Sequence, residues 1–262
     1  MAPSSDALGK ADYLESSLLT RAGFRHAFFT RTGGVSENEF ASLNFSVAVG
    51  DAPENVDENL RRAARALGVL PKHLYFASQV HGAVAEFADE SESFDTFVGR
   101  EADIVFGRSP NIACGVRTAD CVPILLAAQR TGSVAAVHAG WRGVVRGAVR
   151  AGFAALDRIS NDASDVVAAI GPHISLAAFE VSEDVAQELL LASPDPNVVD
   201  RSRPRPHVDL RRIVRAELER LGVKSAAIDD VAGCTFLESD RFFSFRRDGK
   251  KSGRHLSAIV PR

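Results

Sequence analysis

An α/β chain, α+β-like in its ordering, with a large mixed β-sheet core flanked by helices, is what this sequence predicts. Three observations lead there. Short continuous apolar runs recur through the middle of the chain, each bounded by turn residues, as strands buried on both faces do. Segments with apolar residues at helical spacing are interspersed among them without a strict βαβ alternation. The chain has 262 residues, 45% of them hydrophobic, and no linker rich in Gly, Ser or Pro divides it, so one substantial core is expected.

The elements follow in order. Met1 to Ala11 is polar and small, and residues 1–15 read as a flexible leader ahead of a single catalytic domain over 16–262. Phe24 to Thr30 is an aromatic-rich strand running into the Gly33-Gly34 turn. Asp51 caps a helix with Pro53 in its first turn, an apolar stripe through Val56, Leu60, Ala63 and Leu67, and Gly68 at its end. Leu74 to Ser78 and Ala83 to Phe87 read as strands, and acidic Ala88 to Arg100 as a loop. Ile104 to Phe106, Ile112 to Val116, Val122 to Ala127 and Val134 to Val137 are the buried strands of the centre. One helix follows Gly140-Trp141-Arg142-Gly143, with Val145, Ala148, Val149, Gly152, Phe153 and Leu156 on one face. Val166 to Ile170 is a strand, Glu183 to Leu191 and Leu210 to Leu221 are helices, and Ser193 to Pro206 is a loop. Ala226 to Ile228, Phe242 to Phe245 and Leu256 to Val260 close the chain as strands.

The totals exclude some functions. Net charge is −3, which gives no electrostatic footprint for nucleic acid. The Arg201 to Arg212 cluster and the Arg246, Arg247, Lys250, Lys251, Arg254 group behind it read first as solvated faces. No apolar run approaches the ~20 residues of a spanning helix, and the N-terminus lacks a signal-peptide pattern. Three cysteines, Cys114, Cys121 and Cys234, do not form a secreted disulfide framework and fit a reducing, cytoplasmic compartment.

Chemistry concentrates in three stretches: Ser78-Gln79-Val80-His81-Gly82, Thr118-Ala119-Asp120-Cys121-Val122-Pro123, and Val137-His138-Ala139-Gly140-Trp141-Arg142-Gly143. Each places a metal-ligating residue type beside small residues at a strand end. Two imidazoles and a thiolate make a three-ligand zinc set with a fourth position open. The spacing matches neither a CxxC nor an HExxH signature, so other readings stand beside this one. Cys121 can be inert core, and His81 and His138 satisfied loop residues. Alternatively, Cys121 is a nucleophile with a His as its base and Asp120 as orienter. Cys114 and Cys234 default to structural roles.

On these stretches the sequence resembles the YfiH-like, laccase-domain family. Further matching motifs are Thr30-Arg31-Thr32-Gly33-Gly34-Val35-Ser36, Ser42-Leu43-Asn44-Phe45, Ile170-Gly171-Pro172, Cys234-Thr235, Phe242 to Gly249 and Gly253-Arg254, so the match runs nearly end to end. Two positions depart from the common pattern: His173, where many members have Cys, and Ser252, where Thr is commoner. The resemblance implies an α/β fold related to toxin deamidases. It also implies a zinc-dependent purine nucleoside phosphorylase, acting on adenosine, inosine, guanosine and methylthioadenosine, that also deaminates adenosine. The metal ligands it implies are His81, Cys121 and His138. Copper can occupy the same two-His-one-Cys set in place of zinc, because Cu(II) outcompetes zinc at many sites. A literal multicopper oxidase is disfavoured: the seven histidines include no His-x-His, and the only methionine is Met1.

Phosphorolysis calls for cationic groups around phosphate. Arg31, Arg142, Arg246 and Arg247 lie in motifs and are the candidate phosphate or ribose contacts, with Asn44 as a polar partner; structural salt bridges are the competing role. Deamination by zinc enzymes pairs the metal with a Glu acid/base, and no such motif occurs, leaving Asp120 as a nearby candidate. The partners expected are purine nucleosides and phosphate, with no nucleic acid and no membrane, acting on a monomer. Two alternatives remain: a Cys–His hydrolase acting on a cell-wall nucleotide precursor or an amide, and a non-enzymatic metal- or nucleotide-binding module.

Overall fold

The computed structural model describes residues 10–160 and 165–262. Its elements, in chain order, are β1 (Tyr13–Leu14), α1 (Ser17–Arg21), β2 (His26–Phe29), α2 (Pro53–Leu67), β3 (Leu74–Tyr75), β4 (Ala85–Phe87), α3 (Phe94–Val98), β5 (Ile104–Gly107), β6 (Ala113–Thr118), β7 (Val122–Ala128), β8 (Val134–Ala139), α4 (Trp141–Val145), α5 (Ala148–Ser160), β9 (Val166–Ile170), α6 (Glu183–Ala192), β10 (Val199–Asp200), β11 (His207–Val208), α7 (Leu210–Arg220), β12 (Ile228–Asp230), α8 (Phe245–Asp248) and β13 (His255–Ile259). This is the mixed α/β domain the sequence predicts, with one difference. The strands form two large mixed sheets, ordered β1-β2-β13-β6-β3 and β12-β9-β7-β8-β5-β4, and β10 pairs with β11 apart from both.

The residue alternation of the strands explains the layering. In β7, Ile124 and Leu126 face a core completed by α5, α6 and α7, whereas Leu125 and Ala127 face a second core shared with the other sheet. Phe28, Tyr75, Val116 and Ile259 supply the opposite wall of that second core. On the far side of the first sheet, Phe29, Leu256 and Ala258 pack under Ala63, Ala64 and Leu67 of α2. The layers are therefore helix, sheet, sheet, helices. β7, β8 and β9 are buried at every residue, as continuous apolar runs between two layers must be.

Several local expectations are corrected. Tyr13 and Leu14, inside the expected leader, pair with Phe29 and Phe28; residues 1–9 of that leader lie outside the described residues. The N-cap of α2 is Ala52, not Asp51, whose carboxylate instead takes hydrogen bonds from Ser36 and Asn44. The expected loop at 88–100 contains α3, and the loop at 193–206 contains β10. The helix after Gly140 is two helices, because Gly147 at φ +81° breaks the helical path. Phe242 to Phe245 is no strand. Phe242 and Phe243 are buried anchors, and Ser244 caps the short α8 by accepting from the Arg247 N–H at 3.2 Å. No described helix is long and apolar enough to cross a membrane, and the three cysteines are free thiols.

Candidate metal centre and its cavity

Three local features bring the predicted ligands together. The first is the loop after β3. His81 adopts a left-handed backbone, φ +58°, unusual for a residue with a side chain. The loop is held in that shape by Asp103, whose carboxylate accepts the successive N–H groups of Val80, His81 and Gly82 at 3.3, 3.0 and 2.6 Å. The second is the connection from β6 to β7. Asp120, at φ +95°, turns the chain just before Cys121 and is braced by hydrogen bonds from the Thr235 hydroxyl and the Arg246 N–H, both 2.6 Å. The third is the end of β8, where His138 stands opposite Pro123 of β7 and is 3% exposed.

Asp103 also fixes His138. The imidazole Nδ1–H donates to Asp103 Oδ1 at 2.7 Å, so Nε2 is the ring nitrogen left for a metal ion, to which it binds after losing its proton. Burial opposes ionisation of Asp103, but His138 and the Gly82 N–H outweigh it and hold the carboxyl below its ordinary range.

The donor atoms of His81, Cys121 and His138 all lie within 4.8 Å of one another, and Cys121 Sγ is 3.8 Å from His81 Nε2. Ligands of a tetrahedral zinc, at about 2.0–2.3 Å from the ion, sit roughly 3.3–3.8 Å apart, so this donor set fits a metal ion after small adjustment. Gly140 completes the fit: a Cβ there would stand 2.8 Å from Cys121 Sγ and from the His81 ring. The charges are matched as well. Burial disfavours the Cys121 thiolate, but His138 and His81 outweigh it and bring the thiol down to about 6. Burial likewise disfavours an imidazolium at His138, but Cys121 and Asp103 overcome it and raise the group to about 9. The group can thus hold a metal ion, or act as a thiolate–imidazolium pair.

The centre opens on a cavity of about 510 Å³, within the usual range for small-molecule sites. Its wall carries four guanidinium groups, from Arg117, Arg142, Arg246 and Arg254, and three aromatic rings, from Trp141, Phe179 and Phe245. Arg142 stacks on Trp141 at 4.4 Å and Arg246 on Phe179 at 5.3 Å.

Of the arginines expected to meet substrate, the structure places Arg142 and Arg246 in this wall and Arg31 and Arg247 outside it. Arg31 lies over Phe243 and donates to the Ala41 and Ser239 carbonyls. Arg247 donates to the Thr235, Phe236 and Phe242 carbonyls, tying the segment before α8 together. Asn44 is fully buried and bonded to Ser46, Asp51 and the Arg254 N–H, so it is a structural brace rather than a substrate contact. Asp120, the candidate acid, commits both carboxylate oxygens to its braces. His173 is buried and bonded to the Gly171 carbonyl, outside the cavity wall.

Sequence reading missed Asp103, Arg117 and Arg254 as site residues. Signals existed: Arg254 stands in the Gly253-Arg254 motif, and Asp103 and Arg117 are charges at the edges of apolar strand runs, where an unpaired charge is costly and therefore needs a partner.

The family described as multi-copper polyphenol oxidoreductase laccase matches residues 25–262. A purine nucleoside phosphorylase of Bacteroides thetaiotaomicron is 34% identical over 93% of this chain and 94% of its own length. Purine nucleoside phosphorylase YfiH of Escherichia coli is 33% identical over 88% and 90%. The crystal structure of YlmD from Geobacillus stearothermophilus superposes with a TM-score of 0.87 at 30% identity, covering 96% of this chain and 99% of that one. The cavity, its three donors and these likenesses lead to one assignment: the chain belongs to the YfiH-like, laccase-domain family.

Proposed function

We propose that this protein is a zinc-dependent purine nucleoside phosphorylase, acting as a monomer on adenosine, inosine, guanosine and methylthioadenosine, with adenosine deamination as a side activity. The observation that carries the reading is the His81–Cys121–His138 donor set at one side of a cavity whose other walls are guanidinium and aromatic groups. Relatives named purine nucleoside phosphorylases over nearly the whole chain support it.

In phosphorolysis a phosphate oxygen bonds the anomeric carbon while the bond to the purine nitrogen breaks and its electron pair leaves with the base. Flat rings of Trp141, Phe179 and Phe245 offer faces for the purine. Arg142 and Arg246 supply cationic donors for ribose or phosphate oxygens. Asp103 keeps the His138 tautomer and orientation fixed. A zinc ion held by His81, Cys121 and His138 would supply a Lewis acid; copper in the same ligands is the alternative occupant. Among the described residues this is the one His/Cys/Asp/Glu group that meets metal-ligand geometry, so a multinuclear copper oxidase lacks its further ligands there.

A second reading has its own support. The lowered Cys121 thiol beside raised His138 is the electrostatic pattern of a Cys–His hydrolase. Metal content and inosine turnover in phosphate buffer, for wild type and Cys121→Ala, decide between them. About one zinc per chain, with hypoxanthine release lost together with the metal, is the expected result. Full activity after chelation, abolished by thiol alkylation, would transfer the assignment to the hydrolase. Bound metal with no turnover of any purine nucleoside would leave a binding module.

A further inference from the structure

The four guanidinium groups of the cavity are not equivalent. All four lie over aromatic rings, Arg254 over Phe245 at 5.7 Å among them, but Arg142 and Arg246 enter from the short helices α4 and α8, and Arg246 donates to the Glu180 carbonyl at 2.6 Å. Arg117 is in β6, and Arg254 immediately precedes β13, the neighbour of β6 in the first sheet. Leu256 stands opposite Arg117 and His255 opposite Thr118 in the β6–β13 ladder, which makes Arg254 the diagonal neighbour of Arg117 on the same face. Two like charges are thus placed side by side. Both are largely withdrawn from water, and burial together with Arg254 brings Arg117 down to about 10.

Their present partners do not offset that charge. Arg117 lies over Phe76 at 4.5 Å and, among the described residues, its guanidinium reaches two carbonyls, of Phe45 at 3.3 Å and Ala77 at 3.5 Å. Arg254 donates to the Ser252 and Gly253 carbonyls at 2.6 and 3.0 Å. Arg254 feels the negative charges of Cys121 and Asp120, yet neither arginine forms an ion pair with a carboxylate within 4.0 Å among the described residues. Burying two adjacent unpaired cations is unfavourable unless an anion joins them. Guanidinium forks are suited to phosphate, which accepts two parallel N–H bonds from each.

The pair is also rigidly mounted. The Gln79 side-chain amide bonds both the N–H and the carbonyl of Arg117, each at 2.7 Å, and so extends the sheet edge past the end of β3. Gln79 belongs to the same loop as His81, so the Arg117 backbone and one metal ligand share a mount.

We infer that Arg117 and Arg254 form the anion subsite of this cavity and bind a phosphoryl oxyanion between them, leaving Arg142, Arg246 and the aromatic rings to the nucleoside. The inference deepens the phosphorylase reading and rests on it for the identity of the anion as co-substrate. The same chemistry would receive the phosphate of a nucleotide, and the experiment separates the two sources.

The test uses metal-loaded protein and inorganic phosphate as the probe, titrated calorimetrically into wild type, Arg254→Gln, Arg117→Lys and Arg142→Gln, alongside KM for phosphate and for inosine. Loss of charge-assisted bonds predicts phosphate binding weakened about tenfold or more in Arg254→Gln. A matching rise in phosphate KM, little change in inosine KM, and phosphate affinity kept in Arg142→Gln complete the expected result. Arg117→Lys, which keeps the charge but loses the fork, falls between. Equal phosphate affinity in wild type and Arg254→Gln overturns the subsite even if inosine turnover is normal. Absence of inosine turnover, with phosphate still bound in an Arg254-dependent way, keeps the subsite and removes the phosphorylase reading. Arg254-dependent binding of a nucleoside 5′-monophosphate, tighter than that of free phosphate, supports the subsite and assigns its phosphoryl group to the substrate.

Discussion

Asp103 joins two parts of the centre that are far apart in sequence. One carboxylate holds three N–H groups of the His81 loop and the Nδ1–H of His138. Asn at this position keeps the shape but removes the charge, and its amide N–H₂ must face either the His138 N–H or the loop N–H groups. Partners of this kind typically contribute 10–100-fold in metal affinity. Asp103→Asn is accordingly expected to bind zinc about 10–100-fold more weakly, measured by competition with a chromophoric chelator; wild-type affinity would show that the carboxylate serves only the loop. Asp103 looks in the sequence like the charged start of a strand, because nothing local shows that its partners come from residues 80–82 and 138. His81, Cys121 and His138, by contrast, stand in motifs that carry the resemblance, and their side chains converge.

At the scale of elements, the entry into α4 is the sensitive point. Gly140 is its N-cap with φ −72°, a conformation that alanine adopts readily. The obstacle to Gly140→Ala is therefore contact alone, since its Cβ would meet Cys121 Sγ and the His81 ring at 2.8 Å. The expected outcome is a protein with wild-type circular dichroism but reduced zinc stoichiometry and reduced nucleoside turnover. Full zinc content and full turnover would show that the ligands have room to move. Among the elements, the long helices and buried strands were legible because periodicity and burial coincide there: α2, α6, α7 and β7 to β9 lie where the apolar pattern places them. The partition into two sheets was not, because β6 and β7 are both apolar runs and only three residues, 119–121, carry the chain from one sheet to the other. Phe242 to Phe245 misled for a related reason: aromatic residues that pack as anchors have the composition of a strand.

The whole molecule carries a dependence on acid. His26, His173 and His255 are buried, and burial lowers each below its ordinary value of 6.5, His255 to about 3. Each is held as a neutral ring. His255 Nε2 accepts from the Phe243 N–H at 2.8 Å, and His26 Nε2 accepts from the Ser16 N–H at 2.7 Å. As their folded pKa values lie below the unfolded one, the unfolded chain binds more protons when pH falls. The stability they confer is complete above about 6.5 and is lost progressively below it. Melting temperature is expected to fall between pH 7 and pH 4, with a shallower slope in His255→Gln than in wild type; parallel slopes would remove His255 from the acid response.

His81 and Cys121 both stand on segments where the chain leaves the first sheet for the second, after β3 and after β6, while His138 ends a strand of the second sheet alone. An ion bound by all three would act as a rivet across the seam between the sheets. With such an ion bound, occupancy and sheet alignment would be reciprocal: whatever loosened the seam would weaken the ion's binding, and ion concentration would set how firmly the two halves of the core were held in register.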